Sequence, residues 1–227
     1  MLFLIVLIVL TTASDGFTQP ILEIPSNSFK LGYTPHNSTV WHTFWFKSTG
    51  TDTVEITDVN TGCKCAVMPL ERTLIGPGDS MKVSFFWNTG RRVGAATQHP
   101  NVRIKGSEDP LFVILIGQMV NGLDSCRPVS IKPYKFELGR IAKKSIDSIS
   151  FKLFNHSGED VSLKVVSTPF EECEIYMPDS LLSGSEAIGY VKVRPEFADL
   201  EFKRSITVEI SDKRATRLTI PIRRKFY

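Results

Sequence analysis

Signals for catalysis, for a metal centre and for a membrane-spanning helix are scarce in this 227-residue chain. Its four histidines, His36, His42, His99 and His156, are scattered, and none has the i, i+4 spacing of a helical metal site. No serine stands in a Gly-x-Ser-x-Gly elbow, so no hydrolytic nucleophile is marked. Carboxylates are equally dispersed; Glu171, Glu172 and Glu174 bracket Cys173 and read as a solvated loop. Past residue 10 no apolar run approaches the ~20 residues of a membrane helix, and the longest, Leu111 to Ile116, is strand-sized. A strong charge is missing too, because 27 Lys and Arg against 24 Asp and Glu leave only +3, with the signs interspersed. That balance does not ask for a nucleic-acid partner. No catalytic residue and no cofactor follow from these residues.

What is present begins at the N-terminus. Leu2 to Leu10 is an unbroken apolar run, and the small residues of Thr11-Thr12-Ala13-Ser14 suit a signal-peptidase site, although no basic residue precedes the run. The expectation is a signal peptide at residues 1–13, an exported protein in the periplasm or outside the cell, and a mature chain with no transmembrane segment. No cysteine lies near the cut, so lipid attachment there is not available.

Apolar residues then alternate with a period of two along Trp41 to Phe46, Thr53 to Val59, Met81 to Trp87, Ile149 to Phe154, Ser205 to Ile210 and Arg217 to Ile222. No stretch carries the i, i+3, i+4 pattern of a surface helix, and turn residues such as Gly76-Pro77-Gly78 and Ser183-Gly184-Ser185 separate the runs. The fold class read from this is all-β. The halves also resemble each other: Phe29-Lys30-Leu31-Gly32 recurs as Phe136-Glu137-Leu138-Gly139, and Phe44-Trp45-Phe46 before a turn recurs as Phe151-Lys152-Leu153. A tandem pair of immunoglobulin-like β-sandwich domains, 20–121 and 128–227, is therefore expected, divided in the aperiodic stretch Asn121 to Pro128.

The first half has a motif order of its own: Phe-x-Leu-Gly at 29–32, the strand Trp41-His42-Thr43-Phe44-Trp45-Phe46, Gly50, Cys63-Lys64-Cys65, Ile75-Gly76-Pro77-Gly78, Val83-Ser84-Phe85 and a closing strand Ile114 to Val120. In that order residues 20 to 121 resemble the DUF1573 family of exported bacterial proteins, relatives of immunoglobulin-like ASH and MSP domains, with the second half a diverged copy. Lys64 and Ala66 depart from the family's usual Cys-Gly-Cys-Thr. The resemblance implies a fold and carries no established activity.

Chemistry, if any, rests with sulfur. In an extended strand residues i and i+2 lie roughly 7 Å apart, too far for a disulfide, so a Cys63–Cys65 bridge requires a turn, for which Gly62 is suited. The pair reads as a structural bridge or buried thiols, as a labile redox pair, or, joined by Met68, as a soft site for Cu(I). Cys126 and Cys173 pair by elimination, although four cysteines permit three connectivities. For partner binding, Trp41 and Trp45 share the face opposite Phe44 and Phe46, and Arg91 to His99 reads as a long exposed loop. The rings packing against the neighbouring domain is the competing expectation. The basic residues at 213–225 read as a solvated strand face rather than a polyanion site. The function expected is a non-enzymatic interaction or structural module of the bacterial envelope that binds another envelope or extracellular protein; the rival is redox or Cu(I) handling at Cys63 and Cys65.

Overall fold

The computed structural model describes residues 20–141 and 144–226, and the expected signal peptide at 1–13 lies outside them. The chain is all-β, with two short 3-10 turns and no α-helix among the described residues. In the first half the strands are β1 (Leu22–Glu23), β2 (Ser28–Pro35), β3 (Thr39–Ser48), β4 (Val54–Asn60), β5 (Ala66–Val67), β6 (Leu74–Ile75), β7 (Ser80–Asn88), β8 (Gly94–Gln98), β9 (Asn101–Ile104), β10 (Leu111–Phe112) and β11 (Ile114–Val120). In the second they are β12 (Val129–Lys132), β13 (Phe136–Ile141), β14 (Lys144–Ile146), β15 (Ser148–Asn155), β16 (Val161–Ser167), β17 (Cys173–Tyr176), β18 (Ser180–Leu181), β19 (Glu186–Val193), β20 (Phe202–Ile210) and β21 (Arg217–Phe226).

Each half is an immunoglobulin-like sandwich. The first packs the sheet β1, β3, β7, β5 against β10, β9, β4, β6 and the ribbon β2, β11, β8; the second packs β12, β15, β19, β17 against β18, β16, β20, β21 with β13 alongside. Period-two patterning decides which side chains go in. Along β7, Met81, Val83, Phe85 and Trp87 are buried, while Lys82, Ser84 and Phe86 point to the other face. The first core is rich in aromatics, with Phe44, Phe46, Phe85 and Trp87. The second is mostly aliphatic around Phe136 and Phe151, whose rings stack at 4.9 Å.

The two sandwiches share a sheet. Strand β2 pairs with β11 of its own half on one side and, at Tyr33 and Leu218, with β21 of the second half on the other. The Thr219 hydroxyl donates to the Leu31 carbonyl at 2.6 Å, and the Arg217 guanidinium donates to that of Lys30 at 3.1 Å. Gly32 makes this approach possible: its φ is +69°, and a Cβ there would collide with the Arg217 carbonyl. The matching glycine of the second half, Gly139, passes the Lys225 carbonyl in the same way. The repeated Phe-x-Leu-Gly thus brings both its glycines against one strand, β21.

Side chains complete the joint. The Trp41 backbone N–H donates to the Ser205 hydroxyl at 3.0 Å, and that hydroxyl donates to the Trp41 carbonyl at 2.7 Å. Arg204 lies over the rings of Trp41 and Phe86 and is held by Glu172, which is 6% exposed. Lys82 reaches Glu171 at 2.7 Å. His42 stacks on Phe29 at 3.6 Å with its Nδ1 at 3.1 Å from the Ser167 hydroxyl. Burial, with the nearby Arg217 charge, lowers its pKa to about 4. The acidic stretch at 171–174, expected to be solvated, therefore contributes two of the ties between the halves.

Candidate functional site

Cys63 and Cys65 sit in a turn after β4 and are joined, with S–S 1.99 Å and Cα–Cα 5.2 Å. The extended spacing is avoided because Gly62 turns the chain with φ +73°. The Asn60 side chain accepts from the Gly62 N–H at 2.8 Å, Thr61 donates to the Cys63 carbonyl at 3.1 Å, and the Asn88 N–H of β7 donates to the Cys65 carbonyl at 2.7 Å. The Gln98 amide lies against the bridge, its Oε1 at 3.6 Å from Cys63 Sγ and its Nε2 at 3.8 Å from Cys65 Sγ. Both cysteines are half-buried.

The other sulfur expectations are not met. Met68 is packed in the first core, and the two Sγ atoms are bonded to each other, so no set of Cu(I) ligands forms at Cys63, Cys65 and Met68. Among the described residues no group of three or more His, Cys, Asp or Glu side chains is placed to hold a metal. Cys126 and Cys173 do not pair: both are free and buried. Counting cysteines left them as partners, whereas the fold points the Cys126 thiol at the Gly122 carbonyl, 3.8 Å away, and begins β17 with Cys173. Burial raises their pKa values to about 11 and about 12, which keeps both thiols protonated and inert.

The tryptophans separate. Trp41 is 6% exposed because the second sandwich covers it, and Trp45 is 56% exposed. Only Trp45 remains a candidate contact. The expected loop at 91–99 is in part a strand: Gly94 to Gln98 form β8, paired antiparallel to β11, with Arg91 to Val93 exposed before it. Strands β8 and β9 are consecutive, separated at His99-Pro100; β4 covers the outer edge of β9 up to Asn60 and Asn101, then leaves into the disulfide turn. The outer edge of β8 is left open, and β8 ends the large sheet.

On the other side of the disulfide turn lies a groove of about 680 Å³ between the sandwiches, its walls carrying Lys64, Lys203, Arg204, Arg223, Arg224 and Lys225 against one carboxylate, Glu201. Cys65 and Val67 form part of the wall, and Val67 lies on β5, the last strand of its sheet. The basic C-terminal stretch is thus a solvated face only in part: Lys213, Arg214 and Lys225 are exposed, while Arg224 is buried. Arg224 is 3% exposed and pairs with Asp147 at 2.8 Å, and Arg223 pairs with Glu137 at 3.0 Å. The run Arg223-Arg224-Lys225 was visible in the sequence; its convergence with Lys64 and Lys203 was not.

No helix among the described residues is long and apolar enough to cross a membrane. No curated protein matches the chain in sequence. Among solved structures, it is similar to a protein of unknown function from Porphyromonas gingivalis W83 (9% identity, 90% of this chain and 99% of that one, TM-score 0.38). It is also similar to an ASH/PapD-like domain of human CEP192 (16%, 51% and 98%, 0.36) and to the E. coli chaperone DraB (10%, 92% and 97%, 0.33). No function is carried over from these likenesses. Residues 22–119, the first sandwich, match the model of DUF1573, described as a protein of unknown function.

Proposed function

We propose that this chain is an exported, non-enzymatic interaction module of the bacterial envelope that takes an extended segment of another envelope or extracellular protein along β8. The observation that carries this reading is the open outer edge of β8, where the sheet ends because β4 turns away into the Cys63–Cys65 turn. An unpaired edge presents backbone N–H and C=O groups to an incoming strand. Nothing within Gly94-Ala95-Ala96-Thr97-Gln98 blunts it: the segment has no proline and no charge, and its exposed side chains, Ala95 and Thr97, are small. Trp45, on the other sheet, offers a separate exposed contact.

The test is capture from a bacterial envelope extract by the purified protein and by an Ala95→Lys/Thr97→Lys variant. Both positions are exposed, so the variant should keep its melting temperature, a change within about 0.5 kcal/mol. Wild type should retain a discrete partner that the variant loses. Equal capture by both proteins, or none by either, removes the reading.

The half-buried Cys63–Cys65 pair favours a second reading, thiol–disulfide exchange. A partner dithiol would pass two electrons and two protons to the two sulfurs and leave as a disulfide. Loss of such exchange in a Cys63→Ser/Cys65→Ser variant is its test; a bridge that resists dithiols in the folded protein excludes it.

A further inference from the structure

The groove between the sandwiches is separate from the edge of β8 and has a chemistry of its own. Of its six cations, Arg204, Arg223 and Arg224 have carboxylate partners in Glu172, Glu137 and Asp147. Glu201 is engaged by the Phe226 N–H at 2.8 Å. Lys64 and Lys203, both exposed, add positive charge beside these paired groups. The Arg224 side chain is buried, and its Nε has no hydrogen-bond partner among the described residues. A buried guanidinium N–H without an acceptor is costly, and an anionic ligand in the groove would supply one.

The remaining walls select among anions. Phe86, Val67 and Phe202 are apolar, which a small inorganic ion would leave unused. Strand β5 closes its sheet here, with the Ala66 N–H donating to the Cys63 carbonyl and the Ala66 carbonyl accepting from the Thr61 hydroxyl, so its short edge is already engaged. Beside the groove a second hollow of about 210 Å³ shares Thr39, Asn88, Lys203 and Arg223 with it and adds Lys135 together with Glu137, the partner of Arg223. Cations along these neighbouring hollows, with the apolar side chains of the larger one beside them, fit an elongated ligand with spaced carboxylates and apolar side chains. We propose that the groove between the two sandwiches binds an extended acidic segment of a partner protein, its carboxylates on Lys64, Lys203 and Arg224 and its apolar side chains on Phe86 and Val67.

The experiment is fluorescence anisotropy on the full chain with three labelled twelve-residue peptides, alternating Glu-Leu, Ser-Leu and Lys-Leu, at low and moderate salt. Polyphosphate and an acidic polysaccharide serve as competitors. The Glu-Leu peptide should bind at least about tenfold more tightly than the others and weaken with salt. A Lys64→Glu/Lys203→Glu variant, changed at two exposed positions, should lose at least tenfold of that affinity. The milder Lys64→Ala/Lys203→Ala variant should lose part of it. The Ala95→Lys/Thr97→Lys variant should bind the peptide as wild type does, which separates this site from β8. Equal binding of all three peptides, no effect of charge reversal in a folded variant, or displacement by polyphosphate or polysaccharide at lower concentration than by unlabelled peptide would each overturn the proposal.

Discussion

Both sandwiches carry Phe-x-Leu-Gly at the head of the strand that joins the closing strand, yet the two glycines face different neighbours. Gly139 passes the Lys225 carbonyl inside its own sandwich, whereas Gly32 passes the Arg217 carbonyl of the other one. Within the first sandwich β2 and β11 still pair, and the register shifts between Ile116 and Gly117, next to the Gly32 pairing. A motif that closes one copy therefore both closes and joins the other. The same asymmetry appears on β3 and β15. Trp41 is covered by Ser205 and Arg204, while the matching outer face of the second sandwich leaves Tyr176, Tyr190 and Ile188 exposed.

The most severe way to break this comparison is at the glycines. Gly32→Ala adds a Cβ where there is no room, at a positive φ, and should cost about 3–5 kcal/mol. Calorimetry should then resolve two transitions in place of one, because the joint fails while each core persists. Gly139→Ala should cost a similar amount but lower only the second sandwich's transition. A single shared transition in both variants would mean that the sandwiches do not unfold separately.

Tryptophan sharpens the contrast within one strand. Trp41→Ala should lose about 3 kcal/mol in denaturant unfolding, and Trp45→Ala under about 0.5 kcal/mol, although both lie on the same face of β3. Equal losses would contradict the coverage of Trp41 by the second sandwich.

A smaller effect comes from pH. His42 titrates at about 4 in the folded chain and near its usual value of 6.5 when unfolded. The folded state keeps it neutral, so its contribution is fully present above pH 6.5. As pH falls toward 4 the unfolded chain takes up a proton that the folded chain does not, and stability drops by about 2–3 kcal/mol. Melting temperatures between pH 7.5 and 4.5 should fall less steeply in His42→Gln; parallel slopes would refute this assignment.

The sequence made the strands and the sandwich class legible, because period two along Met81 to Trp87 and along Phe151 to Leu153 allows little else. It missed β8, since Gly-Ala-Ala-Thr-Gln has weak strand propensity and becomes a strand through its pairing with β11. Neighbours distant in sequence were hidden in principle. Periodicity puts Trp41 and Trp45 on one face but does not reveal that Ser205 covers only the first. Local spacing likewise gives no hint that Glu172 finds Arg204, or that Lys64 and Lys203 line one groove. Cys63 and Cys65 were readable because their geometry is local: two residues apart, they close only through a turn.

The pairing of Tyr33 with Leu218 also sets an order of events. As the chain is made from its N-terminal end, every strand of the first sandwich emerges while β21 is still unsynthesised. Until then β2 has β11 on one side and a bare edge on the other, and Trp41 has no cover. Contacts such as Thr219 to Leu31, 188 residues apart, form late, so the joint should lag behind the first core during refolding as well. A nascent first sandwich is thus left with an apolar seam and an unpaired strand, which makes the interval before the last strand arrives the period of greatest risk for mispairing with another chain.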